Sequence, residues 1–483
     1  MNIQTSPISK PKTGFHINVG CPGCGGRLEL QENFFVLECR HCGSVLRVKM
    51  PDIPAAYLIA PKRDRREVRF QIDRDLREQQ QPLTSSSIEY RFIYYPYWKI
   101  DAVVLKKRNK IVERVVSDGD PYAASYGIHG NGSEPTVRRD KRTEINLTPY
   151  TQTIAAGITS NSIPFSIGMR TEYLKAIPYS KENLSEDYEC FPVLKCWSTV
   201  QSELEKNIGS LGKIDMPEFG TNQTRLFHPR GSLIYYPYCI AEDRANGVFR
   251  RFIADAVTGR MVHVETQDDE FEEILLGEDP QFTFGELGVD FHRCHTCGID
   301  LPRVQSYVYV CGNCHELTML DNNPILQQTL TTALSPEERT GTILFPFWSL
   351  QVPPTDLSRM QRMFGGIYRS DKLVIPAFKI PNFEAMFRLT KRISAAVTQL
   401  DLEPVEYLDK RFSPVTVSVQ EAVTLADVII HREEMTRDKP TEDVSADFAP
   451  QRIELFYAPF HPEHYFYVDS ALGAVTFEKG LAE

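Results

Sequence analysis

Eight of the eleven cysteines in this chain of 483 residues stand in pairs with two residues between them, and the pairs come in twos. Cys21-Pro-Gly-Cys24 is followed by Cys39-Arg-His-Cys42, and Cys294-His-Thr-Cys297 by Cys311-Gly-Asn-Cys314. A CxxC turn aims two thiolates at one point, and a short hairpin brings a second pair round to complete a tetrahedral set of four sulfurs, which suits Zn2+. The spacing therefore assigns Cys21, Cys24, Cys39, Cys42, Cys294, Cys297, Cys311 and Cys314 as metal ligands, with two zinc ions per chain; iron is the rival for such a donor set. A closed site of this kind has no open coordination position, so it folds a small module and does not activate water. Cys311 to His315 also spells a haem-attachment motif, but haem leaves Cys294 and Cys297 without a role and requires an export signal. Cys190, Cys196 and Cys239 lack such spacing and are expected in the core.

The elements that would carry these thiols are short strands. Leu28 to Leu30, Phe34 to Leu37 and Val308 to Val310 fill the spacers, and Gly25, Gly43 and Gly298 follow the second cysteine of three pairs, where a turn benefits from positive φ. Behind each cysteine set the same landmarks recur in the same order. Phe92-Ile-Tyr-Tyr-Pro96-Tyr-Trp98 answers Ile343-Leu-Phe-Pro346-Phe-Trp348, Ile163-Pro164-Phe165 answers Ile375-Pro376-Ala-Phe378, Leu233 to Tyr238 answers Leu455 to Phe460, and Asp255 to Gly259 answers Asp469 to Gly473. This self-similarity predicts a duplication. The first copy is the longer, with extra residues near Lys62 to Gln81 and a longer late hairpin around Asn246-Gly247. Aromatic-Pro-aromatic segments read as strands whose proline sits at an edge, a start or a bulge, with Trp98 and Trp348 as equivalent core anchors. Helices are expected over 383–397, capped by Asn382, after the Ser418/Glu421 capping box, and over 197–211. A break is expected within Ala124 to Asp140.

The fold class that follows is α+β and β-rich: two tandem repeats, each a four-cysteine ribbon followed by a mainly antiparallel β domain with one or two helices. The expected boundaries are 15–50 and 290–320 for the ribbons, 51–265 and 321–483 for the β domains, and 266–289 for an acidic linker.

Other chemistry finds little footing. Phosphate-binding loops, dinucleotide fingerprints, zincin and nucleophile-elbow motifs are all missing from the sequence, so no catalytic residue is assigned and the chain is expected not to be an enzyme. His461-Pro-Glu463-His464 is the most suggestive remainder, read as an exposed polar turn, and His292, His295 and His315 are read as solvated loop residues. The composition, 42% hydrophobic and 24% charged with mean hydropathy −0.31, is that of a globular protein. With no long apolar run, no leader-like start and an odd cysteine count, the expectation is a cytoplasmic protein without a transmembrane segment. Net charge −10 argues against a surface devoted to nucleic acid, yet residues 1–150 hold 24 Lys and Arg against 17 Asp and Glu. Nucleic-acid binding through the first ribbon and the basic segments of residues 62–142 is therefore kept as the alternative to protein partners.

The two cysteine sets resemble the zinc-ribbon superfamily. Their combination with the Tyr-Pro-Tyr-Trp and Phe-Pro-Phe-Trp motifs is similar to bacterial zinc-ribbon proteins whose ribbon is of the transcription-factor-IIB type. That resemblance implies a fold and a metal, and no reaction. The function expected is a non-enzymatic zinc-binding adaptor or structural subunit of a protein complex.

Overall fold

The computed structural model describes residues 16–31, 36–49, 54–78, 88–116, 136–157, 163–164, 166–167, 174–180, 182–185, 187–211, 223–245, 248–265, 284–285, 287–320, 323–334, 340–364, 370–409, 411–435, 448–471 and 475–481. Strands outweigh helices, as the α+β, strand-rich reading requires. The first cysteine set lies among β1 (His16–Gly20), β2 (Arg27–Gln31), β3 (Val36–Glu38) and β4 (Val45–Lys49). There follow β5 (Ala56–Ile59), α1 (Arg65–Glu78), β6 (Glu89–Val116), β7 (Thr136–Ala155), β8 (Lys175–Pro178), β9 (Glu189–Cys190), α2 (Trp197–Leu211), β10 (Gln223–Ala245), β11 (Val248–Asp255) and β12 (Met261–Glu265). In the second half, β13 (Gly288–Phe291), β14 (Val308–Val310) and β15 (Leu317–Met319) surround the second set. Beyond them lie β16 (Leu326–Ala333), β17 (Ile343–Gln351), α3 (Pro354–Phe364), β18 (Lys372–Pro376), α4 (Phe383–Ala396), β19 (Leu402–Pro404), α5 (Val419–Met435), β20 (Ile453–Glu463), β21 (Phe466–Asp469) and β22 (Thr476–Glu478).

The two sheets share a register. β6 runs antiparallel to β10 with Trp98 opposite Leu233 and Pro96 opposite Tyr235, and β17 runs antiparallel to β20 with Trp348 opposite Leu455 and Pro346 opposite Tyr457. On the far side, β5 lies parallel to β10 and β16 parallel to β20. The same numbering match carries through β11 and β21, where Tyr238 faces Asp255 and Phe460 faces Asp469.

That register explains the prolines. A mid-strand proline forfeits a ladder hydrogen bond and is tolerated only where no acceptor waits for it. On the side of β6 that Pro96 faces, β9 pairs only with Ile93 and Tyr94 and β7 begins at Tyr97, so the missing N–H falls in the gap between partners. Pro237 sits likewise between the end of β5 and the start of β11. Each proline carbonyl is still used: Pro96 accepts from Ala156 N at 2.9 Å, Pro346 from Ala377 N at 2.9 Å, Pro237 from Ala256 N at 3.1 Å and Pro459 from Ser470 N at 2.8 Å. The prolines thus mark where a central strand changes neighbours.

Beside them stand the tryptophans. Trp98 and Trp348 are buried, and each indole N–H donates at 2.8 Å to a carbonyl just ahead of a helix, Lys195 O before α2 and Val417 O before α5. α2 and α5 are therefore counterparts. The Ser418/Glu421 capping box forms as expected, with Glu421 N donating to Ser418 Oγ at 3.1 Å and Ser418 N to Glu421 Oε2 at 2.9 Å.

One landmark pair is misregistered in the sequence reading. Trp98 lies opposite Ile154 and Trp348 opposite Ile375, so Ile154 to Ala156 is the counterpart of Ile375 to Ala377, and Ile163-Pro164 is not. The two Ile-Pro dipeptides agree in letters alone. Thr136 to Asp140, placed by the sequence in a break, is the start of β7; residues 117–135 lie outside the described residues, as do Phe165, Asn246-Gly247 and 266–283 of the expected linker.

The copies differ by what is inserted. α1 has no counterpart among the described residues; Asp64 and Glu67 cap it reciprocally, and Val68, Ile72 and Leu76 are buried against Phe92, Cys239 and Phe252. Where the second copy turns into α3 after Gln351, the first continues β6 and β7 as a long hairpin arm. That arm reaches the other copy, where Leu105 and Phe227 pack on Val428 of α5. At the same seam His228 Nε2 lies 3.5 Å and His431 Nδ1 3.2 Å from the Asp427 carboxylate. α4 has no counterpart among the described residues and covers one face of the second sheet with Leu389 and Ile393. No helix of the described residues is long and apolar enough to cross a membrane.

Candidate metal centres

Four turns of one design present the eight thiols. In each, the residue after the second cysteine donates its N–H to the carbonyl of the first: Gly25 to Cys21 at 2.9 Å, Gly43 to Cys39 at 2.8 Å, Gly298 to Cys294 at 2.9 Å and His315 to Cys311 at 3.0 Å. Closing that turn needs a left-handed backbone, with φ +70°, +73° and +74° at the glycines and 57° at His315. Glycine takes this conformation freely, whereas an L residue is strained by about 1–2 kcal/mol. The histidine after Cys314 is therefore a turn residue, and the haem-like spelling is accidental.

The turns converge. Cys21 and Cys42 Sγ are 3.7 Å apart and Cys24 and Cys39 3.7 Å; Cys294 and Cys314 are 3.6 Å apart and Cys297 and Cys311 3.5 Å. Within each set all four sulfurs lie within 4.8 Å of one another. Four sulfurs at ~2.3 Å from a central ion, tetrahedrally placed, stand roughly 3.8 Å apart, so the spacing fits a tetrahedral metal site. Backbone amides favour the thiolate form, with Gly23 N and Gly26 N each 3.4 Å from Cys21 and Cys24 Sγ. Donation from the Ser44 hydroxyl and amide brings Cys42 down to about 6, and the Cys314 and Asn313 amides do the same for Cys311. Cys24 goes the other way, to about 12: the Gly26 N–H favours its thiolate, but desolvation and the three neighbouring sulfurs outweigh it. Four thiolates this close repel one another, and a cation at the centre would let all four ionise.

The centres are joined. β13, which leads into the second cysteine set, pairs antiparallel with β4 of the first, from Gly288 opposite Lys49 to Phe291 opposite Leu46. Gln305 then acts as a substitute strand for β3: Val36 N donates to its Oε1 at 3.1 Å, and its amide Nε2 donates back to Val36 O. Arg303 reaches Glu38 at 2.8 Å. Between the ribbons Val36, Val45, Cys294, Leu301, Tyr309 and Cys311 form one buried cluster. The sequence reading put the start of β13, Gly288 and Val289, in a linker. The alternation Gly288-Val-Asp-Phe291, which mirrors Ile17-Asn-Val before Cys21, was the local signal for a strand.

The remaining candidates fall as follows. His292 is buried between the ribbons against Tyr309, with ring centroids 4.6 Å apart, and burial lowers its pKa to about 4, so it is a core residue and not a solvated one. His295 and His315 are exposed. His461 is buried too, its Nδ1 3.0 Å from Ser470 Oγ and its Nε2 3.8 Å from Glu463, while His464 is exposed at the turn; the exposed-turn reading holds for His464 and fails for His461. Cys239 is core as expected, but Cys190 and Cys196 are half-buried, and Cys196 lies beside Ser198 and Thr199 at the start of α2. Of the basic segments, Arg65 binds Asp187 and lies over the Phe92 ring, and Arg69 lies over Tyr90. The side chains of Arg138 to Arg142 lie outside the described residues. No family model, no curated protein and no solved structure matches the chain, so its functional assignment rests on the two four-thiol centres and the pairing between them.

Proposed function

We propose that each four-cysteine set holds one Zn2+ and that the chain is a non-enzymatic adaptor or structural subunit, a duplicated β scaffold stapled by a paired metal head. The observation that carries this reading is the joint itself: β13 on β4, with Gln305 on β3, makes the two centres one folded unit. Closed S4 sites supply folding energy and no open position for a reactant, and a head built this way serves to hold surfaces in place for a partner.

Metal analysis of the natively purified chain tests the proposal. Two zinc ions per chain are expected, and chelation should unfold the head, read as lost amide protection across residues 16–49 and 288–320. A chain that is folded without metal, or loaded with iron, overturns it. Binding to labelled DNA or RNA at about 50 mM salt, weakening steeply as salt is raised, would replace the adaptor reading with the nucleic-acid one.

A further inference from the structure

Among the described residues, one strand edge is covered in the first copy and open in the second. β8 lies antiparallel to β5, with Ile59 opposite Ala176 and Tyr57 opposite Pro178; β19 lies antiparallel to β16, with Ala333 opposite Leu402 and Thr331 opposite Pro404. The matching bonds from Tyr179 N to Ala56 O and from Val405 N to Leu330 O, both 2.9 Å, fix the same register. Lys175, Ala176 and Pro178 thus correspond to Asp401, Leu402 and Pro404.

In the first copy β1 adds to this edge, parallel to β8, with His16 opposite Lys175 and Ile17 opposite Ala176. Ala176 is fully buried there, and Lys175 is met by Glu29 of β2 at 2.8 Å. Among the described residues the second copy lacks this cover: the strand that precedes its cysteine set is β13, which pairs with β4 instead. α4 covers a face of the second sheet but not this edge, and β19 is exposed at all three residues, with Leu402 at 38% and its neighbour Leu334 at 45%.

We propose that β19 is a docking edge for an extended, cationic segment of a partner protein, which adds parallel to it as β1 adds to β8 and places an apolar side chain over Leu402. Three features carry this. Asp401 carbonyl accepts from Leu334 N at 2.9 Å, so the alternation of an antiparallel ladder turns the Leu402 N–H and C=O outward. Pro404 does not block pairing at Leu402, since β1 pairs with Lys175 and Ala176 although Pro178 stands two residues further on, as Pro404 does from Leu402. The charge is inverted: Lys175, which takes a glutamate from its covering hairpin, is replaced by Asp401, and the adjoining Glu403 and Glu406 are also exposed. A row of carboxylates on an open edge repels a second copy of itself and selects a lysine- or arginine-bearing strand.

The inference rests on the adaptor reading, yet it fails separately, because metal content and head folding do not depend on this edge. The test is selection of random octapeptides displayed on phage against the immobilised full chain, followed by titration of the enriched peptides as synthetic fluorescent probes. Enriched sequences should alternate apolar and basic residues and should protect the Leu402 amide from hydrogen exchange. Affinity should fall roughly tenfold or more in Leu402→Pro, which removes the outward N–H, and in the surface variant Asp401→Lys/Glu403→Lys, which leaves the backbone intact. No enrichment over bare support overturns the proposal, as does binding that both variants retain. Concentration-dependent self-association lost in the same variants would make the occupant a second copy and also overturn it.

Discussion

Gln305→Ala probes the joint between the two centres with a small change that leaves all eight thiols in place. The Gln305 side chain closes two hydrogen bonds on Val36, whose side chain is buried in the cluster between the ribbons. Removing it forfeits two bonds and strands a peptide N–H and C=O that water reaches poorly, a loss of about 2–4 kcal/mol. If the joint must open before the first centre exposes its metal, 2 kcal/mol raises the open population about 30-fold. Arg303→Ala is the internal control: its 2.8 Å pair with Glu38 is 61% and 50% exposed, so its loss costs under about 1 kcal/mol. The assay is metal release to a chromogenic chelator, with hydrogen exchange followed separately in peptides spanning Cys21 to Leu46 and Cys294 to Leu320. Gln305→Ala should speed exchange in the first peptide as well as the second, and Arg303→Ala should barely move either. Release and exchange in the first ribbon that match the unaltered protein would refute the coupling, since they would show that its metal site is held without help from residue 305.

Trp98→Ala and Trp348→Ala should each cost ~3–5 kcal/mol in urea unfolding, because both indoles are buried and both donate to a carbonyl at a helix start; a cost below about 1 kcal/mol would contradict the anchor role. His315→Gly should raise the thermal midpoint of the second ribbon: relief of left-handed strain, ~1–2 kcal/mol, exceeds the added chain entropy of glycine, ~0.5–1 kcal/mol, whereas Gly298→Ala at φ +74° should lower it. Asp427→Asn should destabilise the seam between the copies by about 1–3 kcal/mol at neutral pH. Burial opposes the Asp427 charge, but the adjoining His228 and His431 rings and the Phe448 N–H outweigh it and hold the carboxyl well below the usual range. A depressed carboxylate adds stability that is complete above its unfolded value of about 4 and is lost as pH falls below it, so the gap between unaltered and variant protein should narrow below about pH 4. A gap that widens there would show the sign to be wrong.

What the sequence made legible is what local chemistry dictates. Cysteine spacing announces a four-thiol cluster because two residues between thiols is a turn, and Ser418/Glu421 announces a helix because the cap is local. α1 carried the same kind of signal in Asp64/Glu67 and Val68, Ile72 and Leu76, but the charged run from Lys62 reads more readily as an insertion. Other features are set by neighbours hundreds of positions away. Nothing near Gln305 says that it completes β3, and nothing near His292 or His461 says that one lies under Tyr309 and the other beside Ser470. The false match of Ile163-Pro164 with Ile375-Pro376 has the same origin: strand register is decided by the partner, and a dipeptide cannot encode it.

The duplication is conserved in the sheets and broken in the ribbons, and the break is what gives the molecule its asymmetry. The first ribbon spends one hairpin on its own sheet, where Ile17, Leu28 and Leu30 join the core around Tyr95 and Tyr97, and offers its other hairpin to β13. The second ribbon is held by the first through that strand and by its own sheet through Val308 and Val310, with Tyr307 N donating to Val415 O at 2.8 Å. The first ribbon is thus the shared member, in contact with its sheet on one side and the second centre on the other. A duplication in which each ribbon served only its own sheet would have left both edges covered and the two centres independent. Moving β13 onto β4 couples the centres and, by the same step, uncovers β19. The joint and the open edge are two consequences of one strand changing its partner.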